Sequence, residues 1–241
     1  MKTKIIFISL FFWVMFSAKG QENIKQQQTF VEIFSTGFDF SPVVIPIRPE
    51  GRYSDIKGSP YLSDQWADGS IMLINDTDSA GFRMRYNVYG NEMQFIHDAD
   101  TMAIANPLKL NAVWLNGRRF EYLPFILNKN ENMAYFEIIT EGKIKLLVRH
   151  SIRLESGMDP VTPYHCQNST DRFVAGKFYY YQTVGMEKPE ELPLGKGAFL
   201  SLPPFNRPEV KEFIHERKIR LQKQDDLRVL FTWINQTTTD K

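Results

Sequence analysis

The amino-acid sequence predicts an α+β fold, in which a mostly antiparallel β meander is followed by two short C-terminal helices. Two observations lead to this prediction. From about residue 69 to residue 183, short segments alternate apolar with polar residues, which is the period of strands that bury one face. After Pro204 the apolar residues recur at helical spacing instead. Strands in succession, followed by helices in succession, are typical of an α+β domain.

The strand segments are separated by turn signals. The apolar residues of segment 82–95 share one face: Phe82, Met84, Tyr86, Val88, Met93 and Phe95. Gly90-Asn91 predicts a two-residue hairpin turn with glycine first, and Asn116-Gly117 and Glu141-Gly142 predict further turns. Aromatic residues make up 14% of the chain, which favours strands on a broad core. We expect about nine to ten strands in a curved sheet or a partly open barrel.

The segment before the meander is predicted to lie along an edge of the sheet. It contains Pro42, Pro46 and Pro49, and proline has no N–H to donate to a neighbouring strand. A central strand is therefore excluded for this segment.

The two helices are indicated by their first residues and by their apolar spacing. Pro208 and Glu209 suit a first helical turn, and Asp225 suits the cap of the second helix. The second helix is further indicated by apolar residues at i, i+3, i+4 and i+7: Leu227, Leu230, Phe231 and Ile234.

The chain divides into four predicted regions. Residues 1–20 have the pattern of a secretory signal peptide, with Lys2 and Lys4, an apolar run over 5–16, and Gly20 at the expected cleavage point. Residues 21–57 are predicted as an extended arm, 58–203 as the β-rich domain, and 204–241 as a helical cap packed on the same domain. We therefore expect an exported protein with no integral membrane segment after signal cleavage.

Charge and cysteine content exclude some classes of partner. The formal net charge is +1, whereas nucleic-acid binding needs a basic face. Cys166 is the only cysteine, so no intramolecular disulfide can form, and we expect a buried, inert thiol.

The polar group His97, Asp98 and Asp100 is the first candidate for a metal or catalytic site. Aspartate is favoured in turns because its carboxylate bonds nearby backbone N–H groups. One hairpin turn rarely offers the three or four convergent ligands that a closed metal site needs. We therefore interpret the group as the turn between two strands.

Two further features lie on predicted strands. His150 shares the apolar face of its strand, so we interpret it as a core histidine, which would become an acid–base group only with a carboxylate nearby. Tyr179, Tyr180 and Tyr181 are interpreted as one strand with rings on both faces, one set lying under the helices.

The loop over residues 156–173 is the strongest functional candidate by length, because long irregular loops are often functional or disordered. It contains Asp159, His165, Cys166 and Asp171. Adjacent residues of an extended chain point to opposite sides, so His165 is poorly placed to activate Cys166. The chain also lacks phosphate loops, HExxH and GxSxG. We assign no catalytic, cofactor-binding or metal-binding residue and no cofactor.

Three segments together resemble a family of exported, β-rich, uncharacterised proteins of the Bacteroidota. They begin at GSPYLSDQWADGSIMLI, at TPYHCQNSTDRFVAGKFYYY and at PEVKEFIHERKIRLQKQDDLRVLFTWIN. The resemblance covers most of the chain after about residue 58, and implies a periplasmic or cell-surface location in a Gram-negative bacterium. It brings no catalytic residues with it.

Two functions are compatible with these observations. The first is a non-catalytic interaction or accessory subunit of a cell-envelope complex, because sheet edges and extended arms are surfaces for strand addition. The second is a binder of a small apolar or glycan ligand in the concavity of the sheet. Oligomeric state is left open.

Overall fold

The residues that the structure describes form one antiparallel sheet of eleven strands followed by three helices. The computed structural model describes residues 44–47, 53–74, 79–97, 100–157 and 171–237, all within one compact unit, residues 40–241. The predicted signal peptide, residues 1–20, and most of the arm lie outside the described residues. None of the described helices is long and apolar enough to cross a membrane.

The strands follow one another with short connections. They are β1 (Val44–Pro46), β2 (Ala67–Leu73), β3 (Ser79–Asn87), β4 (Glu92–His97), β5 (Asp100–Ile104), β6 (Leu110–Leu115), β7 (Arg118–Leu127), β8 (Asn130–Thr140), β9 (Ile144–Glu155), β10 (Arg172–Thr183) and β11 (Glu190–Glu191). Their order in the sheet is β1-β5-β4-β3-β2-β6-β7-β8-β9-β10-β11. Two meanders, β2–β5 and β6–β10, thus join through β2 and β6.

The α+β prediction is confirmed, and the sheet is open rather than closed. β1, which contains Pro46, and β11 are its two ends, so Pro46 lies at an edge as predicted, and Pro42 and Pro49 lie outside the described residues. Ten strands have three residues or more, and the two-residue β11 is the eleventh.

The helical part differs from the prediction. The helices are α1 (Lys196–Ser201), α2 (Pro208–Glu216) and α3 (Gln224–Thr237), so they begin before residue 204 and number three rather than two. α1 contains a glycine and buries only Phe199, so its formation depends on packing rather than on helix propensity. Asp225 was predicted to cap this helix but lies inside the first turn of α3. Its negative charge there interacts favourably with the helix dipole.

The loop between β3 and β4 also differs from the prediction. Asn87 pairs with Glu92, so the loop has four residues rather than two. Asn91, not Gly90, takes the positive φ, at 52°. A Cβ on Gly90 would lie 2.9 Å from the amide nitrogen of Asn87, whose oxygen accepts a hydrogen bond from the Gly90 N–H at 2.9 Å. Glycine is needed there for close approach to a side chain.

The sheet curls so that distant strands meet on its inner face, which carries Tyr86 and Tyr135. β3 and β8 are four strand spacings apart, about 19 Å along a flat sheet. The ring of Tyr86 on β3 nevertheless lies 5.5 Å from the ring of Tyr135 on β8. Asn91 also donates a hydrogen bond to the Met133 carbonyl at 3.1 Å. The curl therefore folds the β3–β4 hairpin over β8.

The opposite, outer face is covered locally by the far end of the β7–β8 hairpin. Phe125 of β7 lies 6.1 Å from the ring of Tyr180 on β10, although two strands separate them. Near the hairpin tip, Glu131 pairs with Lys188 beyond the end of β10. Phe125, Ala134, Phe136, Leu147 and Tyr180 form a small core there.

The three helices cover the inner face of β9 and β10. Tyr179 and Tyr181 are buried in this core together with residues of every helical segment, including Phe199, Val210 and Phe231. Tyr180 lies on the outer face. The prediction of one strand with rings on both faces, one set under the helices, is confirmed.

Asn235 fastens α3 to the turn between β8 and β9. Its side chain donates to the carbonyls of Glu141 and Ile144 at 3.1 and 2.9 Å, and accepts from the Ile144 N–H at 2.9 Å. Gly142 in that turn has a φ of 134°, and a Cβ on it would lie 2.5 Å from Cγ of Asn235. The turn therefore requires glycine for two separate reasons.

Replacing Gly142 with alanine is expected to lower the free energy of unfolding by about 2–4 kcal/mol, because backbone strain adds to a clash with a hydrogen-bonded side chain. Gly185→Ala is the matched control, since Gly185 also has a positive φ but no neighbour within 4 Å. It should cost about 1 kcal/mol. Urea unfolding measures both, and equal losses would contradict a role for Asn235.

Candidate functional site

The first polar group lies at the connection between β4 and β5. His97 and Asp100 are cross-strand partners at the closing end of the hairpin, and Asp98 lies outside the described residues. No three His, Cys, Asp or Glu side chains of the described ranges converge as metal ligands. The pairing of His97 with Asp100 closes the β4–β5 hairpin, and the interpretation of the whole group as a turn stays a prediction.

The long loop is described only at its ends. Asp159, His165 and Cys166 lie outside the described residues. Asp171 accepts a hydrogen bond from the Gly157 N–H at 3.1 Å, and its carbonyl accepts from the Lys57 N–H at 2.9 Å. Asp171 thus ties the base of the loop to the segment before β2.

His150 contacts a buried carboxylate that the sequence analysis did not identify. Glu137 lies on the neighbouring strand β8, and its Oε2 is 2.7 Å from Nε2 of His150. Arg118 of β7 donates to both oxygens of Glu137, from Nε to Oε1 at 2.7 Å and from Nη2 to Oε2. The side chains of Glu137 and His150 are 7% and 4% exposed, so three adjacent strands bring a polar cluster into the inner face.

The electrostatics of the cluster decide where its protons lie. Burial by itself raises the pKa of Glu137, but hydrogen bonds from His150 and Arg118 outweigh it and lower the pKa to about 2. The carboxylate is therefore an acceptor only, and Nε2 of His150 carries the proton donated to it. The imidazole is oriented as in an acid–base pair, but each oxygen of Glu137 is already occupied.

A parity argument could have found Glu137. In the segment AYFEII, Glu137 has the same parity as Tyr135, and side chains two residues apart lie on one face of a strand. Arg118 is harder to find, because it follows a turn and its side chain is about one-third exposed.

An open groove of about 430 Å³ lies between α3 and the end of β8. Its lining residues are Ile139, Thr140, Glu141, Arg228, Thr232, Asn235 and Gln236. The side-chain amide of Asn235 is occupied by hydrogen bonds to the turn between β8 and β9. The groove therefore lies at the junction between α3 and the turn between β8 and β9.

The edge of β10 holds the second candidate site. The Phe173 N–H donates to the Lys57 carbonyl at 2.8 Å, and the Leu192 N–H donates to the Tyr179 carbonyl at 2.8 Å. Along an antiparallel strand, the N–H and C=O groups of successive residues point alternately to the two neighbouring strands. The N–H and C=O groups of odd-numbered residues of β10 therefore point away from β9. Between the two covered stretches, Ala175 and Lys177 have no backbone partner among the described residues, and both are exposed.

This edge is a slot of defined length rather than a frayed end. It is bounded on one side by the bridge between Lys57 and Arg172 and on the other by β11. Two N–H groups and two carbonyls face outward within it. Phe178, 40% exposed, flanks it.

The resemblance to exported proteins of the Bacteroidota remains an expectation. No protein-family model, no curated protein and no solved structure matches the chain.

Proposed function

We propose that this protein is a non-catalytic interaction subunit of a cell-envelope complex, exported to the periplasm or the outer-membrane periphery of a Gram-negative bacterium. It binds its partner by strand addition at the open edge of β10. The carrying observation is the slot at Ala175 and Lys177, where backbone donors and acceptors face outward between two covered stretches.

Strand addition suits this slot for two physical reasons. An extended segment can pair with the outward backbone groups, and each hydrogen bond contributes about 1 kcal/mol net. Natural proteins also cover or blunt most exposed edges. Among the residues that the structure describes, the covering elements stop on both sides of a short stretch, and an additional strand could pair there.

The non-catalytic part of the proposal is supported by the buried polar cluster. Arg118 and His150 both contact the oxygens of Glu137, and the charge of Arg118 balances that of the carboxylate. Such an arrangement holds β7, β8 and β9 in register. It thereby supports β10, which pairs with β9 over its whole length.

The packing of the inner face weighs against a ligand in the concavity, the second function compatible with the sequence. Met84, Tyr86, Phe120 and Tyr135 are at most 1% exposed. Tyr86 lies 5.9 Å from the ring of Phe120 and 5.5 Å from that of Tyr135. These side chains fill the space that a small apolar or glycan ligand would occupy.

The proposed function is tested by replacing Lys177 with proline, which removes an outward N–H but no hydrogen bond to β9. Tagged wild-type and variant proteins are recovered from crosslinked cells of the native host and their partners quantified by mass spectrometry. We expect Lys177→Pro to lower recovery of a stoichiometric partner about tenfold, since that loss corresponds to about 1.4 kcal/mol.

Lys177→Ala is the matched control, because it removes the charge and keeps the N–H. It should retain most of the partner, and both variants should keep the wild-type melting temperature. Equal recovery with Lys177→Pro and wild type would place the interface elsewhere. The absence of any partner of the wild-type protein would contradict the interaction role itself.

A further inference from the structure

Each end of the slot is bounded by a residue of β10 that uses only one of its two outward backbone groups. Phe173 donates its N–H to the Lys57 carbonyl at 2.8 Å, but its own carbonyl has no hydrogen-bond partner among the described residues. Tyr179 accepts a hydrogen bond from the Leu192 N–H at 2.8 Å, but its own N–H has no partner in the described part of the chain. The outward groups that await a partner therefore extend to both ends of the slot.

The two covering segments leave the edge of β10 at these ends. Gly58 has a φ of 86°, and beyond it the chain pairs with the end of β3 instead. At the other end, Leu194 is the next residue after β11 with the parity to face β10. Its carbonyl accepts a hydrogen bond from the side chain of Gln222 at 2.9 Å. Positions 174–178 of β10 lie between the two covers, and each of these residues is partly or fully exposed.

Six outward backbone groups follow one another along this stretch of β10. In chain order they are the Phe173 carbonyl, the N–H and the carbonyl of Ala175, the N–H and the carbonyl of Lys177, and the Tyr179 N–H. The row begins with a carbonyl and ends with an N–H. It can therefore be divided into three successive pairs, each made of a carbonyl and the N–H two residues further on.

A parallel strand matches this row better than an antiparallel strand does. In a parallel pair, one residue donates to a carbonyl of its neighbour and accepts from the N–H two residues further on. Partner residues opposite positions 174, 176 and 178 would thus bond all six groups. An antiparallel partner would exchange both bonds with Ala175 and with Lys177. It would leave the Phe173 carbonyl and the Tyr179 N–H without partners, because Lys57 and Leu192 already lie at those ends.

The parallel pattern is already present at the first cover. Lys57 donates to the Asp171 carbonyl at 2.9 Å and accepts from the Phe173 N–H at 2.8 Å, and its bridge with Arg172 is parallel. Positions 174, 176 and 178 have the same parity as Arg172. A parallel strand in the slot would therefore continue the hydrogen-bond register that Lys57 begins.

We infer that the partner binds this edge as a strand parallel to β10, through three alternate residues of a five-residue extended segment. This inference rests on the proposed function, because it specifies the direction and the register of the added strand. The first, third and fifth residues of the segment need their N–H groups. The N–H groups of the second and fourth residues point away from β10, so proline is compatible with those two positions alone.

The direction is tested with a displayed library of linear peptides of about eight residues, slightly longer than an ordinary strand. Peptides are selected on the full-length protein and retained if Lys177→Pro weakens their binding. A retained peptide is then made with a photo-crosslinking residue at its N-terminus or at its C-terminus, and the crosslinked sites are mapped by mass spectrometry. We expect the N-terminal probe to label residues 53–58 and the C-terminal probe to label residues 190–194.

Two variants of the protein show that the crosslinks report the edge. Lys177→Pro should lower the yield of both crosslinks about tenfold, because it removes an outward N–H. Lys177→Ala is the matched control, since it keeps that N–H, and it should leave both yields within about twofold of the wild-type values.

The register is tested by placing single N-methyl groups along the same peptide. Methylation of the first, third or fifth paired residue should weaken binding about tenfold, because each change removes a hydrogen bond to β10. Methylation of the second or fourth residue should weaken binding less than about twofold. An antiparallel strand would show two sensitive amides rather than three.

Each outcome bears on one of the two proposals. Crosslinks with the ends reversed, or only two sensitive amides, would overturn the parallel register and leave strand addition standing. The expected crosslinks together with three alternating sensitive amides would support both proposals. A selection that enriches no peptide sensitive to Lys177→Pro would overturn both.

Discussion

Replacing Glu137 with leucine is expected to lower the free energy of unfolding by about 3–5 kcal/mol, as when one partner is removed from a buried ion pair. His150, 6% exposed, would keep a buried N–H without its acceptor, and Arg118 would lose both of its hydrogen bonds to the carboxylate. Urea unfolding at neutral pH measures the loss.

The matched control is Glu131→Gln on the same strand. Glu131 pairs with Lys188, but the two side chains are 57% and 36% exposed, and exposed pairs contribute less than about 1 kcal/mol. A triple variant, Arg118→Met with Glu137→Leu and His150→Leu, should recover most of the lost stability. Equal losses for Glu137→Leu and Glu131→Gln would contradict a buried cluster.

The pH dependence of the same variant gives an independent check. The pKa of Glu137 falls from 4.5 to about 2 on folding, so its contribution to stability is complete above pH 4.5 and is lost as the pH falls toward 2. The difference in unfolding free energy between wild type and Glu137→Leu should therefore be smaller at pH 3 than at pH 7.

Replacing Phe205 with alanine is expected to cost about 3–5 kcal/mol, because it leaves a cavity where the helices meet the sheet. Phe205 is fully buried. Its ring lies 4.4 Å from that of Phe199, 5.3 Å from Tyr181 and 5.4 Å from Phe231. The free energy of unfolding is measured by urea denaturation followed by circular dichroism.

Val229→Ala is the control for this prediction, because Val229 is 52% exposed on α3. It should change the free energy of unfolding by less than about 0.5 kcal/mol. If Phe205→Ala costs no more than Val229→Ala, the helical segments are not packed on β10 as described.

Much of the fold was predictable because strand and helix periods are local properties of the chain. Alternation in segment 82–95 correctly predicted the buried faces of β3 and β4, and Asn116-Gly117 correctly predicted the turn between β6 and β7, where both residues have positive φ. The loop at Gly90 was predicted wrongly, because a side-chain contact with Asn87, not a preferred turn type, places glycine there.

The candidate sites were less predictable because each depends on residues that are distant along the chain. His150 was correctly placed on the apolar face, but its carboxylate comes from another strand. The slot at β10 exists because Lys57 and β11 cover the edge on either side, and no local pattern indicates where such covers begin and end.

The sequence by itself determined the alternation of strands, the edge position of Pro46 and two of the three helices that the structure describes, since side-chain period and backbone restrictions act within a few residues. Only the tertiary structure decided the pairing of β2 with β6, the curl that brings Tyr86 to Tyr135, and the stretch of β10 that has no backbone partner among the described residues. These features depend on contacts between segments distant along the chain, whose closure entropy and packing energy are not contained in any short stretch of residues.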